Sequence, residues 1–188
     1  MLIEDNIGLK FNLIIGLGKS GYWAAKFLNS QFKKVIVFED KINDEIKSFK
    51  TDLEKIGIKV FLNMPFEYKF IEPLITKLES VILSPGIDLN NETVSKLKNL
   101  GIKVKGEICI GWDYLKDLNW VGITGTNGKT TVTKLLSHIL CKNQLKAPPA
   151  GNVGIPFCEH AFNQNIKKDI DWLISEISSY QIEISTSI

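Results

Sequence analysis

Lys129 and Thr130 stand directly behind the small-residue run Thr124-Gly125-Thr126-Asn127-Gly128 and ahead of Thr131. An ammonium, a hydroxyl and two glycines at that spacing suit phosphate chemistry. The glycines let a polyphosphate approach backbone N–H groups, the lysine supplies a point charge, and the hydroxyl can ligate a magnesium ion. A second chemical group lies downstream, where the apolar run Trp172-Leu173-Ile174-Ser175 ends in Glu176, a carboxylate placed to share that metal. A third is the turn Gly16-Leu17-Gly18-Lys19-Ser20-Gly21, followed some twenty residues on by Glu39-Asp40-Lys41. This is the spacing at which an acidic residue meets a ribose hydroxyl.

The elements that must position these groups are legible around them. Trp120, Val121 and Ile123 predict a short strand before the phosphate loop, and Val132, Leu135, Leu136, Ile139 and Leu140 predict the buried face of the helix after it. The commonest phosphate loop would require glycine at position 123, where this chain has Ile123, so the loop is of a different form. A turn that binds nothing is the bland alternative.

Upstream, strands are expected at Phe11 to Ile15, Val35 to Phe38, Lys59 to Leu62, Val81 to Leu83 and Ile102 to Val104. Helices are expected between them, through Trp23 to Leu28, Ile46 to Ile56 and Val94 to Leu100, the last capped by Asn91. Such alternation predicts an α/β chain with a Rossmann-like, mostly parallel sheet. Taken alone, the first glycine turn leaves open a nicotinamide site, another nucleotide site, or a tight turn without a ligand. The strand ending in Ser84-Pro85-Gly86-Ile87 puts bare backbone at the carboxyl edge, where ligands bind in open α/β sheets.

Glu107 to Leu118 reads as a connecting helix, with a boundary near residues 115–119 and domains at 1–117 and 118–188. Ala147-Pro148-Pro149-Ala150-Gly151 reads as a local loop, and the second domain, with two expected strands, reads as cut short at Ile188.

Of 188 residues, 44% are hydrophobic and 23% charged, and 23 basic against 21 acidic residues give a net charge of +2. The charges alternate along the chain, which offers no basic run to a nucleic-acid backbone. No apolar run is long enough to span a bilayer, and Glu4 and Asp5 stand where a secretory leader needs positive charge. The expectation is a cytoplasmic monomer without nucleic-acid or membrane partners. Cys109, Cys141 and Cys158 are odd in number and scattered, which suggests reduced, mostly buried thiols, and His138 reads as a surface residue rather than a ligand.

Taken together, Thr124 to Thr131, Gly16 to Gly21, Ser84 to Ile87, Gly151-Asn152-Val153-Gly154 and Glu176-Ile177-Ser178-Ser179-Tyr180-Gln181-Ile182-Glu183 resemble, in order and spacing, the motifs of the Mur ligases. These are the ATP-dependent amide-forming enzymes of peptidoglycan synthesis. The last stretch is similar to the form in the branch that adds D-glutamate to UDP-N-acetylmuramoyl-L-alanine. The resemblance covers the first domain and the beginning of the central domain of a three-domain family. It implies that Lys19, Ser20, Glu39, Asp40, Lys41, Ser84 and Gly86 hold the uridine-diphosphate end of the substrate. It implies likewise that Gly125, Thr126, Asn127, Gly128, Lys129, Thr130 and Thr131 bind ATP, with Thr130 and Glu176 on magnesium. Asn152, Ser178 and Gln181 would face the muramoyl-alanyl part, and Lys129, Asn152 and Glu176 would act in catalysis. Two residues depart from the usual pattern: Ala150, where glycine is frequent, and Tyr180, where phenylalanine is usual. Another acceptor amino acid, or nucleotide binding without catalysis, are the competing readings. The chain alone is expected to bind uridine nucleotides weakly and to release no phosphate in response to D-glutamate.

Overall fold

The computed structural model describes residues 10–163 and 166–185; Glu4 and Asp5 lie outside them. Strands β1 (Phe11–Ile15), β2 (Val35–Glu39), β3 (Lys59–Leu62), β4 (Leu78–Leu83) and β5 (Lys103–Gly106) form one sheet. Its order is β3-β2-β1-β4-β5, and every pairing is parallel. Parallel neighbours need crossovers, and these are α1 (Lys19–Ser30), α2 (Asp44–Lys55), α3 (Tyr68–Ile71) with a 3-10 turn at Glu72–Lys77, and α4 (Glu92–Asn99).

The strand cores are apolar on both faces because helices cover both. Leu13 and Ile15 pack with Ile71, Leu74, Val94 and Leu97 on one side. Ile14, with Ala24, Phe27, Leu53 and Ile108, packs on the other. Asn91 caps α4 by accepting the N–H of Thr93 at 2.8 Å, as its position predicts. Gly57 and Gly101 follow α2 and α4 with φ of +83° and +74°, the left-handed turn that ends a helix.

Helix α5 (Glu107–Leu115) follows β5, and a second parallel sheet follows it: β6 (Asn119–Ile123), β7 (Pro149–Gly151) and β8 (Trp172–Glu176), in the order β6-β8-β7. Around it lie α6 (Lys129–Lys142), α7 (Phe157–Phe162), α8 (Ile166–Asp169) and α9 (Ser179–Ile184).

Four expectations need correction here. Pro149–Gly151, read as loop, is a strand beside β8, so this sheet has three strands among the described residues rather than two. Its prolines hid it, because proline is compatible with an edge strand but suppresses any strand signal. The connecting helix stops at Leu115, with Lys116 as its cap, and β5 starts one residue later than expected. The thiols are mostly buried as expected, Cys109 and Cys158 inside and Cys141 exposed, and His138 is at the surface as expected.

The fourth correction concerns α6. Val132, Leu135 and Ile139 are roughly half exposed, and Thr133 and Ser137 are the residues buried against the sheet. Small hydroxyl side chains let the helix lie close, and the Ser137 hydroxyl donates to the Ala147 carbonyl at 2.6 Å.

The two sheets share one apolar layer. Ala24, Phe27, Ile108 and Leu115 run continuously into Ala150, Phe157 and Leu173. Helix α7 packs on both α1 and α5, with Phe157 stacked on Trp120 at 5.2 Å between ring centroids. Gly111 of α5 lies so near that a Cβ there would fall 2.4 Å from the Phe157 Cβ.

Candidate functional site

The loop between β6 and α6 is exposed from Thr124 to Gly128. Gly128 caps α6 at φ +75° and Gly125 sits at φ +147°, conformations that side chains disfavour. No side chain caps α6, and no acid stands in its first turn, so its leading N–H groups and positive dipole end face outward. Lys129 folds back over the loop, its ammonium donating to the Gly125 carbonyl at 2.7 Å. Thr126, Asn127 and Thr131 are exposed beside it.

The sheet register carries the carboxylate to this loop. Ile123 and Glu176 are partners at the ends of β6 and β8, which places Glu176 beside the start of α6. The Thr130 hydroxyl donates to Glu176 Oε2 at 2.8 Å. Glu176 itself is only 5% exposed. A hydroxyl and a carboxylate converging at that distance form the hard-oxygen donor pair that magnesium takes beside nucleotide phosphates. On this geometry the residues present fit the ion.

Beyond β7, the Asn152 N–H donates to the Glu176 carbonyl at 3.2 Å, leaving its exposed side chain at the rim of the same site. Gly151 is required at this approach: its φ is +91°, and a Cβ would meet the Glu176 carbonyl oxygen at 2.4 Å. Ser178 and Gln181 cap α9 reciprocally. The Ser178 hydroxyl accepts the Gln181 N–H at 3.2 Å, and Gln181 Oε1 accepts the Ser178 N–H at 2.9 Å. Gln181 is thus a buried structural residue at the end of this edge, a task its spacing from Ser178 would have revealed.

The first sheet forms a second cluster at its carboxyl edge. The Gly16 turn has φ +95°, and Gly21 packs so tightly on it that a Cβ would fall 2.0 Å from the Gly16 carbonyl oxygen. The Ser84 hydroxyl donates to that carbonyl at 3.0 Å. Lys19 and Ser20 open α1, which has no side-chain cap and no acid in its first turn. Lys19 reaches Glu159 of α7 at 3.5 Å. Asp40, Lys41 and Gly86 are exposed around this edge. Glu39 is buried, and its two oxygens accept the backbone N–H groups of Leu17 and Lys41. It holds the glycine turn against β2 rather than facing solvent.

Residues to which the sequence assigned no role in the site tie the clusters together. Tyr180 of α9 donates its hydroxyl to the Ser84 carbonyl at 3.0 Å, and burial raises its pKa. A phenylalanine at this position could not make that bond. Glu107 is buried and accepts the Cys158 N–H at 2.5 Å, capping a helix whose own cap position is Pro156. Desolvation pushes its carboxyl up to about 7. His160 donates an N–H to the Pro149 carbonyl, and burial lowers it to about 4, so it is neutral at physiological pH. Among the described residues no group of His, Cys, Asp and Glu could hold a metal by itself. The one sign of Glu107 in the sequence was a lone carboxylate ahead of an apolar run.

A glycine loop opening a helix beside a carboxylate-ended strand, joined through a shared core to a second parallel sheet, defines a two-sheet α/β scaffold. Residues 10–106 match the profile described as Mur ligase MurD-like, N-terminal domain, and residues 123–187 match the Mur ligase middle domain. The chain belongs to the Mur ligase family. Within it, the UDP-N-acetylmuramoylalanine–D-glutamate ligase of Prochlorococcus marinus strain MIT 9312 is 56% identical over 94% of this chain, and that of Parasynechococcus marenigrum strain WH8102 is 40% identical over 94%. The chain spans 38% of the length of each. The crystal structure of UDP-N-acetylmuramate:L-alanyl-gamma-D-glutamyl-meso-diaminopimelate ligase from Neisseria meningitides shares the fold, with a TM-score of 0.51 and 20% identity over 90% of this chain and 52% of that one.

Proposed function

We propose that this chain carries the substrate-binding and ATP-binding parts of a ligase that joins D-glutamate to UDP-N-acetylmuramoyl-L-alanine in cytoplasmic peptidoglycan synthesis. Residues 1–117 hold the UDP-sugar and residues 118–188 belong to the ATP domain. The observation that supports this reading best is the Thr130–Glu176 hydrogen bond beneath an uncapped, glycine-led helix.

A carboxylate is a poor acyl donor because its oxide leaves badly. Transfer of the ATP γ-phosphoryl group to the alanyl carboxylate gives an acyl phosphate, from which the amine of D-glutamate displaces phosphate. Two anions must meet in the first step. The N–H groups of the Gly125 to Thr131 loop and the Lys129 ammonium provide the positive field for that approach. Thr130 and Glu176 would hold magnesium, which supplies charge neutralisation at the phosphates when bound. Asn152 lies at the rim, where the muramoyl-alanyl end would enter. Ser178 and Gln181 act by fixing α9, whose Tyr180 ties the ATP side to Ser84.

In the first sheet, Lys19, Ser20 and the start of α1 suit the diphosphate, and Ser84, Gly86, Asp40 and Lys41 the uridine. Glu39, with both oxygens bound to backbone, positions the turn. That engagement disfavours the nicotinamide alternative, which relies on this carboxylate for the ribose.

The test is phosphate release with ATP, magnesium and UDP-N-acetylmuramoyl-L-alanine, with and without D-glutamate, on the product of the whole reading frame that contains this chain. Turnover that needs D-glutamate is expected. Equal turnover without it, or preference for another amino acid, would overturn the assignment.

A further inference from the structure

Folding gathers charge that the sequence spreads out. In a parallel sheet every strand begins at the same edge, and here a lysine stands at or beside each start: Lys10 at β1, Lys34 at β2, Lys59 at β3, Lys77 at β4 and Lys103 at β5. The order β3-β2-β1-β4-β5 sets them in a row of roughly 19 Å, at the usual strand spacing. All five are exposed, and among the described residues none of them forms an ion pair. Acids at this edge are held by further lysines: Glu79 by Lys33 at 2.9 Å, Asp113 by Lys105 at 3.6 Å and Glu54 by Lys50 at 2.5 Å.

The helices that feed these strands end at the same edge, and three of the four, those before β2, β3 and β5, end in an exposed apolar residue. Phe32 follows α1 and is 98% exposed, Ile56 caps α2, and Leu100 caps α4. Phe32 also adopts φ +57°, a conformation an aromatic residue rarely takes, with no packing to reward it. Between Lys33, Lys103 and Lys105 opens a cavity of about 320 Å³ whose apolar wall includes Phe27, Ile110 and Tyr114.

We propose that this amino-terminal edge of the first sheet is a docking surface for a bilayer rich in anionic phospholipid. Lysines interleaved with single apolar tips match such a surface: the ammonium groups meet the headgroup charge, and Phe32 enters the acyl boundary. The tips sit on three separate turns, without the contiguous apolar patch that a protein partner would bury. Nor does one aromatic offer the stacking series that single-stranded nucleic acid uses. Among the described residues no helix is long and apolar enough to cross a membrane, so the contact is peripheral. The orientation leaves the ligand edge free, because Ser84 and Gly86 lie at the opposite ends of the strands, about 17–20 Å away by strand rise.

The test is co-sedimentation of the chain with vesicles of phosphatidylglycerol in phosphatidylcholine, with pure phosphatidylcholine vesicles for comparison. Binding is expected only to the anionic vesicles, and to weaken as salt rises. Each lysine near the surface strengthens binding roughly fivefold, so Lys34→Glu with Lys103→Glu is expected to weaken it on the order of a hundredfold. Phe32→Asn is expected to weaken it about tenfold while keeping the fold, since asparagine tolerates this backbone conformation. Thermal melting checks that both variants remain folded. No binding to the anionic vesicles overturns the proposal, as does binding that neither variant changes. Equally tight binding to poly-glutamate or DNA, unaltered by Phe32→Asn, would reassign the edge to an acidic macromolecule.

Discussion

Replacing Glu107 with glutamine should make the chain more stable as pH rises. Its carboxyl is buried, receives the Cys158 N–H, and is pushed up to about 7 by desolvation, with the nearby charge of Glu159 acting in the same direction. Unfolded, the group titrates near 4.3. The folded state therefore binds more protons than the unfolded state between those values, and stability must fall as pH climbs through this window. Below it the group is neutral in both states and contributes nothing of this kind. Above it the cost levels off at about 3 kcal/mol, from a shift of roughly 2.5 units at 1.36 kcal/mol each. Glu107→Gln keeps an oxygen to accept the Cys158 N–H and removes the charge. Denaturant unfolding of both proteins from about pH 5 to about pH 8 is the assay, and titrating groups that do not interact with Glu107 cancel in the difference. The variant should gain about 2 kcal/mol on the parent across that range, whatever fixed penalty the new amide brings. Parallel stability curves would refute the reasoning, because they would mean that Glu107 is solvated or paired at neutral pH.

Lys129→Ala should lower ligase turnover on the order of a hundredfold or more by removing charge from the transferring phosphoryl group, measured by phosphate release. Thr130→Ala should instead raise the magnesium concentration needed for half-maximal rate. Gly111→Ala should destabilise by about 1–3 kcal/mol, since the new methyl meets Phe157 at 2.4 Å, and thermal unfolding reads it directly. Tyr180→Phe should cost about 1 kcal/mol by removing the hydroxyl's bond to the Ser84 carbonyl, which keeps only the Ile87 N–H, with little change in how ATP binds the loop.

The first sheet was legible because its signals are local. Strands β1, β2 and β4 there carry short apolar runs, and β1 and β3, like β8 of the second sheet, begin and end where the sequence predicts, whereas β5, with lysines at 103 and 105, gives a weaker signal. The phosphate loop was legible for the same reason. Long-range arrangements left little trace in the sequence. Whether the apolar stripe on α6 is buried depends on what lies across from it, and the helix turns Thr133 and Ser137 to the sheet instead. Strand β7 gains its identity only by pairing with β8. Glu39 looked like a ribose ligand because its position is right, but only three dimensions reveal that two backbone N–H groups already occupy its oxygens.

The order of the second sheet has a consequence for how the chain is made. Among the described residues, both β6 and β7 find their strand partner in β8, which follows them in the chain. The five described strands of the first sheet are complete once Gly106 has emerged from the ribosome, and can pair while the rest is still being translated. The β6 strand must wait on the order of fifty residues for its neighbour, a loop closure that is slow compared with local pairing. Until then the Gly125 to Thr131 turn has no sheet to frame it, and Thr130 has no carboxylate to meet. Nascent chains should therefore become able to grip uridine nucleotides well before they can grip ATP.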